Sequence, residues 1–231
     1  MTPMRHPVPR PEWLHRLALR EDVADHEWFS TYAPPGEDDR RSAVLMLFGP
    51  DPAGGEDVVL TERAHTLRSH PGQVSFPGGA IDPEDGGPVD AALREAEEEV
   101  GLDRAGVEVL ASFPPLFLAP SRNAVTPVLA WWPDPVPVRV VDRREVEQVV
   151  RVPVSHLVDP DRRFTAVFGP YRGPAFDVGG LFVWGFTAML LSTVLDLSGL
   201  AVPWDEGRER ELPDRVRSPW MRAAEAEEDW P

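Results

Sequence analysis

Apolar residues in this chain come in short runs broken by Pro and Gly, a pattern of many strands and few helices. The runs over 43–50 and 57–63 predict two strands joined by a Pro/Gly turn. Residues 69–79, SHPGQVSFPGG, predict a glycine-punctuated loop around a short strand. A second loop, IDPEDGGPVD, leads into a helix over Pro88–Val100, with Gly101 as its stop. VEVLASFPPLFL and AVTPVLAWWP predict further strands, and EVEQVVRVPVSHLVDP predicts a strand running into a short helix or turn. RRFTAVF and LFVWG predict two more strands, and a helix over 187–198 closes the fold.

Strands outnumber helices and do not alternate with them regularly. That favours a mixed α/β or α+β sheet over a doubly wound parallel one. Residues 1–42 read as an N-terminal arm in which PEWLHRLALRE forms a short helix. Residues 43–200 read as one domain, and 201–231 as a charged, flexible C-terminal tail. Val178–Leu195 carries no charge and is about long enough to cross a bilayer. Two glycines open it, Gly185 splits it, and Asp177 and Asp196 bound it, so a buried strand and a packed helix fit better.

Charge changes the picture. The 231 residues carry a formal net charge of −16, which argues against broad binding to nucleic acid or an anionic membrane. An acidic protein still binds a phosphorylated substrate if metal ions supply the positive charge. There is no cysteine, so disulfides, thiolate metal sites and cysteine nucleophiles are excluded. Arginine is the sole basic side chain besides histidine, which excludes lysine chemistry, a P-loop included. No apolar stretch follows the first arginines as in a signal peptide, and the expected location is cytoplasmic.

The densest chemistry is REAEEEVGL, residues 94–102. Residues at i, i+3 and i+4 share a helix face, and Glu95, Glu98 and Glu99 have that relation. Glu97 falls on a different face, toward solvent. Near a helix C-terminus the macrodipole disfavours anions, so three carboxylates there lower stability unless a cation sits among them. Hard oxygen ligands select Mg²⁺ or Mn²⁺. The plain alternative is a solvated acidic face.

The stretch SFPGGAIDPEDGGPVDAALREAEEEVGL resembles the box of the Nudix hydrolases, and its second half matches through Arg94, Glu95, Ala96, Glu98, Glu99, Gly101 and Leu102. The first half departs from the pattern. Asp85 stands where the family usually has Glu, and one extra residue lies in the loop before Arg94. Upstream, LTERAHTLRSHPGQVSFPGG is similar to the signature of coenzyme A pyrophosphatases through Leu60, Thr61, Arg63, Leu67, Arg68, His70, Gly72 and Phe76–Gly79. The later VWGFTA, residues 183–188, also looks typical of that subgroup.

The resemblance implies a Nudix-type α/β/α sandwich with a mixed sheet. It implies hydrolysis of the pyrophosphate of coenzyme A or its acyl derivatives, with Mg²⁺ or Mn²⁺ as cofactor. Glu95 and Glu99 would then be metal ligands, and Glu98 a third ligand or a base. Arg94 would brace these carboxylates by charge-assisted hydrogen bonds. Arg63 and Arg68 would meet phosphate, and His70 would bond phosphate or hold its loop. Phe76 stacks on adenine or sits in the core, and Gly78-Gly79 lets main chain approach the ligand. Glu145 and Glu147 are candidates for a base outside the box. Trp131-Trp132 reads as a substrate face, buried core or a dimer patch. The partner is a small molecule, and a homodimer is compatible with the family. Two rivals stay open: a Nudix hydrolase of another nucleoside diphosphate derivative, and a non-catalytic nucleotide-binding sensor.

Overall fold

The computed structural model describes residues 8–23, 26–36, 40–67 and 70–217. The chain enters through two short helices, α1 (Glu12–Ala18) and α2 (Glu27–Thr31). It then builds the larger sheet on β1 (Arg40–Pro50). A turn at 51–55 returns β2 (Glu56–Arg63) antiparallel to β1. β3 (Val74–Ser75) pairs with β2, and β4 (Gly78–Ala80) pairs with the first half of β1. α3 (Pro88–Val100) follows and ends on Gly101, whose φ of 69° is the left-handed stop expected there.

β5 (Glu108–Ser112) and β6 (Leu116–Leu118) both pair antiparallel with β7 (Asn123–Trp131). β7 runs parallel to β1, from Arg40 opposite Asn123 to Phe48 opposite Trp131. β8 (Val146–Pro153) closes the other side on β2 and leads into α4 (Val154–Val158). The smaller sheet holds β9 (Arg163–Phe168), β10 (Tyr171–Val178), β11 (Leu181–Val183) and β12 (Glu209–Glu211), in the order β11-β10-β9-β12. α5 (Gly185–Ser198) lies between β11 and β12 in sequence.

Side chains alternate across a strand, and here both faces of the larger sheet are covered. Ala43, Leu45 and Leu47 of β1, with Val128 and Ala130 of β7, meet Ala91, Ala92, Ala96 and Val100 of α3. The neighbours Met46, Phe48, Leu129 and Trp131 share the opposite cluster with Trp13 and Leu14 of α1 and with Leu190 and Val194 of α5. This is the α/β/α layering with a mixed sheet. Trp131 and Trp132 are buried in the two opposite cores, so neither forms a substrate face or a patch.

Two features depart from expectation. β10 joins β9 as a hairpin although Gly173 and Pro174 weaken its strand pattern. Residues 209–216, within the expected charged tail, enter the fold: β12 pairs parallel with β9, and Leu212 and Val216 are buried. AAEAEEDWP lies outside the described residues. Among the described residues no helix is long and apolar enough to cross a membrane. Val178–Leu195 is divided between the end of β10, β11 and most of α5.

A buried ion pair ties the ends of three strands. The Asp57 carboxylate accepts from Arg151 Nε at 3.0 Å and Nη2 at 2.9 Å, and Nη2 also donates to the Pro50 carbonyl at 2.7 Å. Burial pushes the Asp57 carboxyl up to about 6, while Arg151 pulls it down. Arg151→Ala would leave the carboxylate unpaired in the interior. It should lower unfolding free energy by about 3 kcal/mol or more, read by urea denaturation near pH 7. Adding Asp57→Leu should recover most of that loss; a change under about 1 kcal/mol for Arg151→Ala would show that water already serves the carboxylate.

Candidate active site

The site is built where β4 is squeezed between β1 and α3. A Cβ placed on Gly78 would stand 2.3 Å from the Ala43 carbonyl oxygen, and one on Gly79 would stand 2.4 Å from the Glu95 carboxyl carbon. A side chain at Gly78 would meet the β1 main chain and push β4 away from it, whereas one at Gly79 would displace the Glu95 carboxylate. Main chain therefore faces the acidic side of α3 directly, and the Gly78 N–H donates to Glu99 Oε2 at 3.1 Å.

The three carboxylates are placed differently. Glu99 is buried, Glu95 half-buried and Glu98 exposed. Arg94 gathers the outer two, donating from Nη1 to Glu95 at 3.0 Å and to Glu98 at 3.3 Å. Its other edge forks onto Asp85, from Nε at 2.9 Å and Nη2 at 3.1 Å, and Nη2 also reaches the Ala80 carbonyl at 3.0 Å. Asp85 further accepts from the Asp82 N–H at 2.8 Å. The substituted position thus ties the loop of 81–87 to the helix through Arg94. Sequence left Asp85 without a role, because its partner is identified only in the fold. Glu97 points away and pairs with Arg104 at 3.2 Å.

The electrostatics follow from this packing. Burial pushes the Glu99 carboxyl up to about 8, opposed by the Gly78 N–H and the charge of Arg63, and reinforced by Glu95 and Glu145. Glu95 is also raised by burial; Arg94 pulls it down, and Glu98 and Glu145 push it up. The charge of Glu145 therefore reaches both Glu95 and Glu99. Its carbonyl accepts from the Ala64 N–H at 2.8 Å, which holds the start of β8 beside the end of β2. Glu147 lies exposed one residue into β8.

The remaining sequence candidates divide. Arg63 lies at the end of β2 within electrostatic reach of Glu99, and its Nε is buried without a hydrogen-bond partner in the protein. His70 bonds Gln73 through Nδ1 at 2.9 Å, so its ring holds the loop. Of the two readings of Phe76 the core one holds: it is buried on the face away from α3, leaving no ring face for a base. Arg68 lies outside the described residues.

Among the described residues no three acidic or histidine side chains converge on one point as a ready-made metal site. The donor chemistry still suits a hard divalent cation. Carboxylates of Glu95, Glu98 and Glu99 offer oxygen only, and the charge of Glu98 raises the Glu95 carboxyl as that of Glu95 raises Glu99. A raised folded pKa also has a consequence for the metal-free protein. The Glu99 proton is held more tightly folded than unfolded, where 4.5 is the ordinary value. Its contribution is therefore full below about pH 4.5 and lost as pH rises through about 8. In EDTA, wild type should lose on the order of a few kcal/mol more than Glu99→Gln between pH 5 and 9, measured by urea denaturation. Parallel profiles for the two proteins would overturn the burial cost assigned to Glu99.

Comparison with known proteins fits this geometry. The NUDIX domain profile matches residues 38–170. An Escherichia coli K12 protein named "Uncharacterized Nudix hydrolase NudL" is 37% identical over 157 residues, spanning 66% of this chain and 79% of its own. The protein of the same name from Shigella boydii serotype 4 is also 37% identical over 157 residues, with the same 66% and 79% coverage. The crystal structure of a Nudix hydrolase from M. smegmatis, RenU, superposes with a TM-score of 0.51 over 73% of this chain and 91% of its own. At 20% identity that likeness is one of fold. With the profile spanning over half of the sequence, the chain belongs to the Nudix hydrolase family.

Proposed function

We propose that the chain hydrolyses the pyrophosphate bond of coenzyme A or an acyl derivative, giving adenosine 3′,5′-bisphosphate and 4′-phosphopantetheine or its acyl form. The observation that carries the reading is the set of box carboxylates on α3 facing the bare main chain of Gly78-Gly79. The upstream signature, whose Arg63 approaches Glu99, supports the coenzyme A assignment.

In this reading Glu95, Glu98 and Glu99 hold Mg²⁺ or Mn²⁺. When bound, the cation neutralises the pyrophosphate and lowers the pKa of a coordinated water. Arg94 keeps Glu95 and Glu98 in place from its anchor on Asp85. Arg63, at the end of β2, is the guanidinium assigned to a phosphate oxygen. Glu145, whose field reaches Glu95 and Glu99, accepts the proton of the attacking water, and it is favoured over Glu147 for that reason. Arg68 is assigned to the 3′-phosphate on the signature alone.

Coenzyme A incubated with Mg²⁺ or Mn²⁺ should release adenosine 3′,5′-bisphosphate, detected by chromatography with mass detection. Cleavage of a nucleotide sugar or dinucleoside polyphosphate instead would keep the site and discard the substrate. No cleavage of any diphosphate by the folded protein would favour a binding module. Glu99→Gln should lower turnover by roughly a hundred-fold or more with the fold intact. Glu97→Gln should stay within about two-fold of wild type, because that residue faces Arg104. Equal losses for the two variants would refute the division of the helix into two faces. Arg68→Ala should raise KM more for coenzyme A than for its dephospho form; an equal rise would remove the 3′-phosphate role.

A further inference from the structure

The segment after α5 comes back to the candidate site. β12 pairs with β9 from Glu209 opposite Thr165 to Glu211 opposite Val167. Thr165 also donates from Oγ1 to the Glu206 carbonyl at 2.7 Å and from its N–H to the Arg208 carbonyl at 2.9 Å. Leu212 and Val216 then bury in the small core beside Phe164, Phe168 and Phe182. Between them the chain turns, and the Arg215 carbonyl comes to rest on the loop that follows β2.

The contact is at Gly72. A Cβ there would stand 2.9 Å from the Arg215 carbonyl oxygen and 2.6 Å from the His65 ring, and φ is 65°. A side chain here would be strained in this conformation and would press on the Arg215 main chain. Gly72 also donates its N–H to the Arg63 carbonyl at 3.1 Å, and Arg63 donates its own to the Gln73 carbonyl at 2.9 Å. The C-terminal contact is thus one hydrogen bond from the residue whose charge reaches Glu99. His65 adds a second link, 3.6 Å from Glu62, whose carboxylate accepts from Gln148 at 2.6 Å.

We propose that residues 209–216, beyond the stretch matched by the NUDIX profile, are a positioning element for substrate binding. Docked through Leu212 and Val216, they set the place of Gly72 and through it that of Arg63. The proposal rests on Arg63 meeting substrate phosphate, as above. A chain lacking this contact keeps its carboxylates on α3 but presents Arg63 loosely, and preorganised placement is what a phosphate contact needs.

The test uses the full chain with Leu212→Ala and the milder Val216→Ala. Amide hydrogen exchange is read by NMR without substrate, Mn²⁺ affinity by calorimetry, and kinetics with coenzyme A. Exchange at Gly72 and Arg63 should quicken. KM should rise roughly ten-fold or more, while kcat and Mn²⁺ affinity stay within about two-fold. Leu212→Met, which refills the core, should restore KM. Faster exchange at 209–216 with unchanged Gly72 and Arg63 amides would overturn the coupling. So would parallel loss of KM, kcat and Mn²⁺ affinity, the mark of general loosening. If Leu212→Ala does not fold, Val216→Ala decides alone. Should wild type cleave no diphosphate, the functional reading fails, and the exchange experiment still decides whether 209–216 positions Arg63.

Discussion

The close approach of β4 to both its neighbours governs the rest of this molecule. Gly78 leaves no room for a side chain against the Ala43 main chain, and Gly79 lets the Glu95 carboxylate lie directly on β4. The helix reaches that distance because its inner face is small: Ala91, Ala92 and Ala96 pack on Ala43, Leu45 and Leu47. A larger residue at any of these alanines would lift α3 off the sheet and open the gap between carboxylate and main chain. The chemistry of the box and the packing of the sheet are therefore one constraint seen from two sides.

That constraint creates an electrostatic problem, and the surroundings answer it only in part. Arg94 serves Glu95 and Glu98 and is itself held by Asp85, so the outer carboxylates are partnered within the protein. Glu99 receives one N–H and the charge of Arg63. The imbalance is concentrated on the most buried of the three acids. Burying charge without a full complement of partners is tolerated at functional sites and selected against elsewhere.

Much of this was legible because local rules and tertiary structure agree. α3 starts at Pro88 and stops before Gly101 for reasons written in those residues, and the buried strands β1, β2 and β9 are short apolar runs. What escaped was set by long-range contacts. β10 carries Gly173 and Pro174 and is made a strand by its neighbours. β12 lies in a charged segment where composition outweighs two buried apolar residues, Leu212 and Val216. At the site, the face shared by Glu95, Glu98 and Glu99 was readable from helical spacing, but their unequal burial was not. Asp85 acquires its partner from a fork formed across the loop, and Glu145 differs from Glu147 in that its charge reaches Glu95 and Glu99. Phe76, ambiguous in sequence, is decided by which face of the sheet it enters.

Among the described residues, β1 with β7 is the one parallel pair in the larger sheet, and its partners are about 80 residues apart. Closing so long a loop costs entropy before any contact repays it, and non-local parallel pairing is intrinsically slow. The whole acidic helix and its glycine turn lie inside that loop. During synthesis the ribosome must release β7 before β1 gains its central neighbour. Until then, the apolar face of α3 lacks the wall that Val128 and Ala130 supply. The helix that bears the motif is thus seated in full only at the step that completes the sheet, so a partly made chain carries the motif without all of the packing that fixes it.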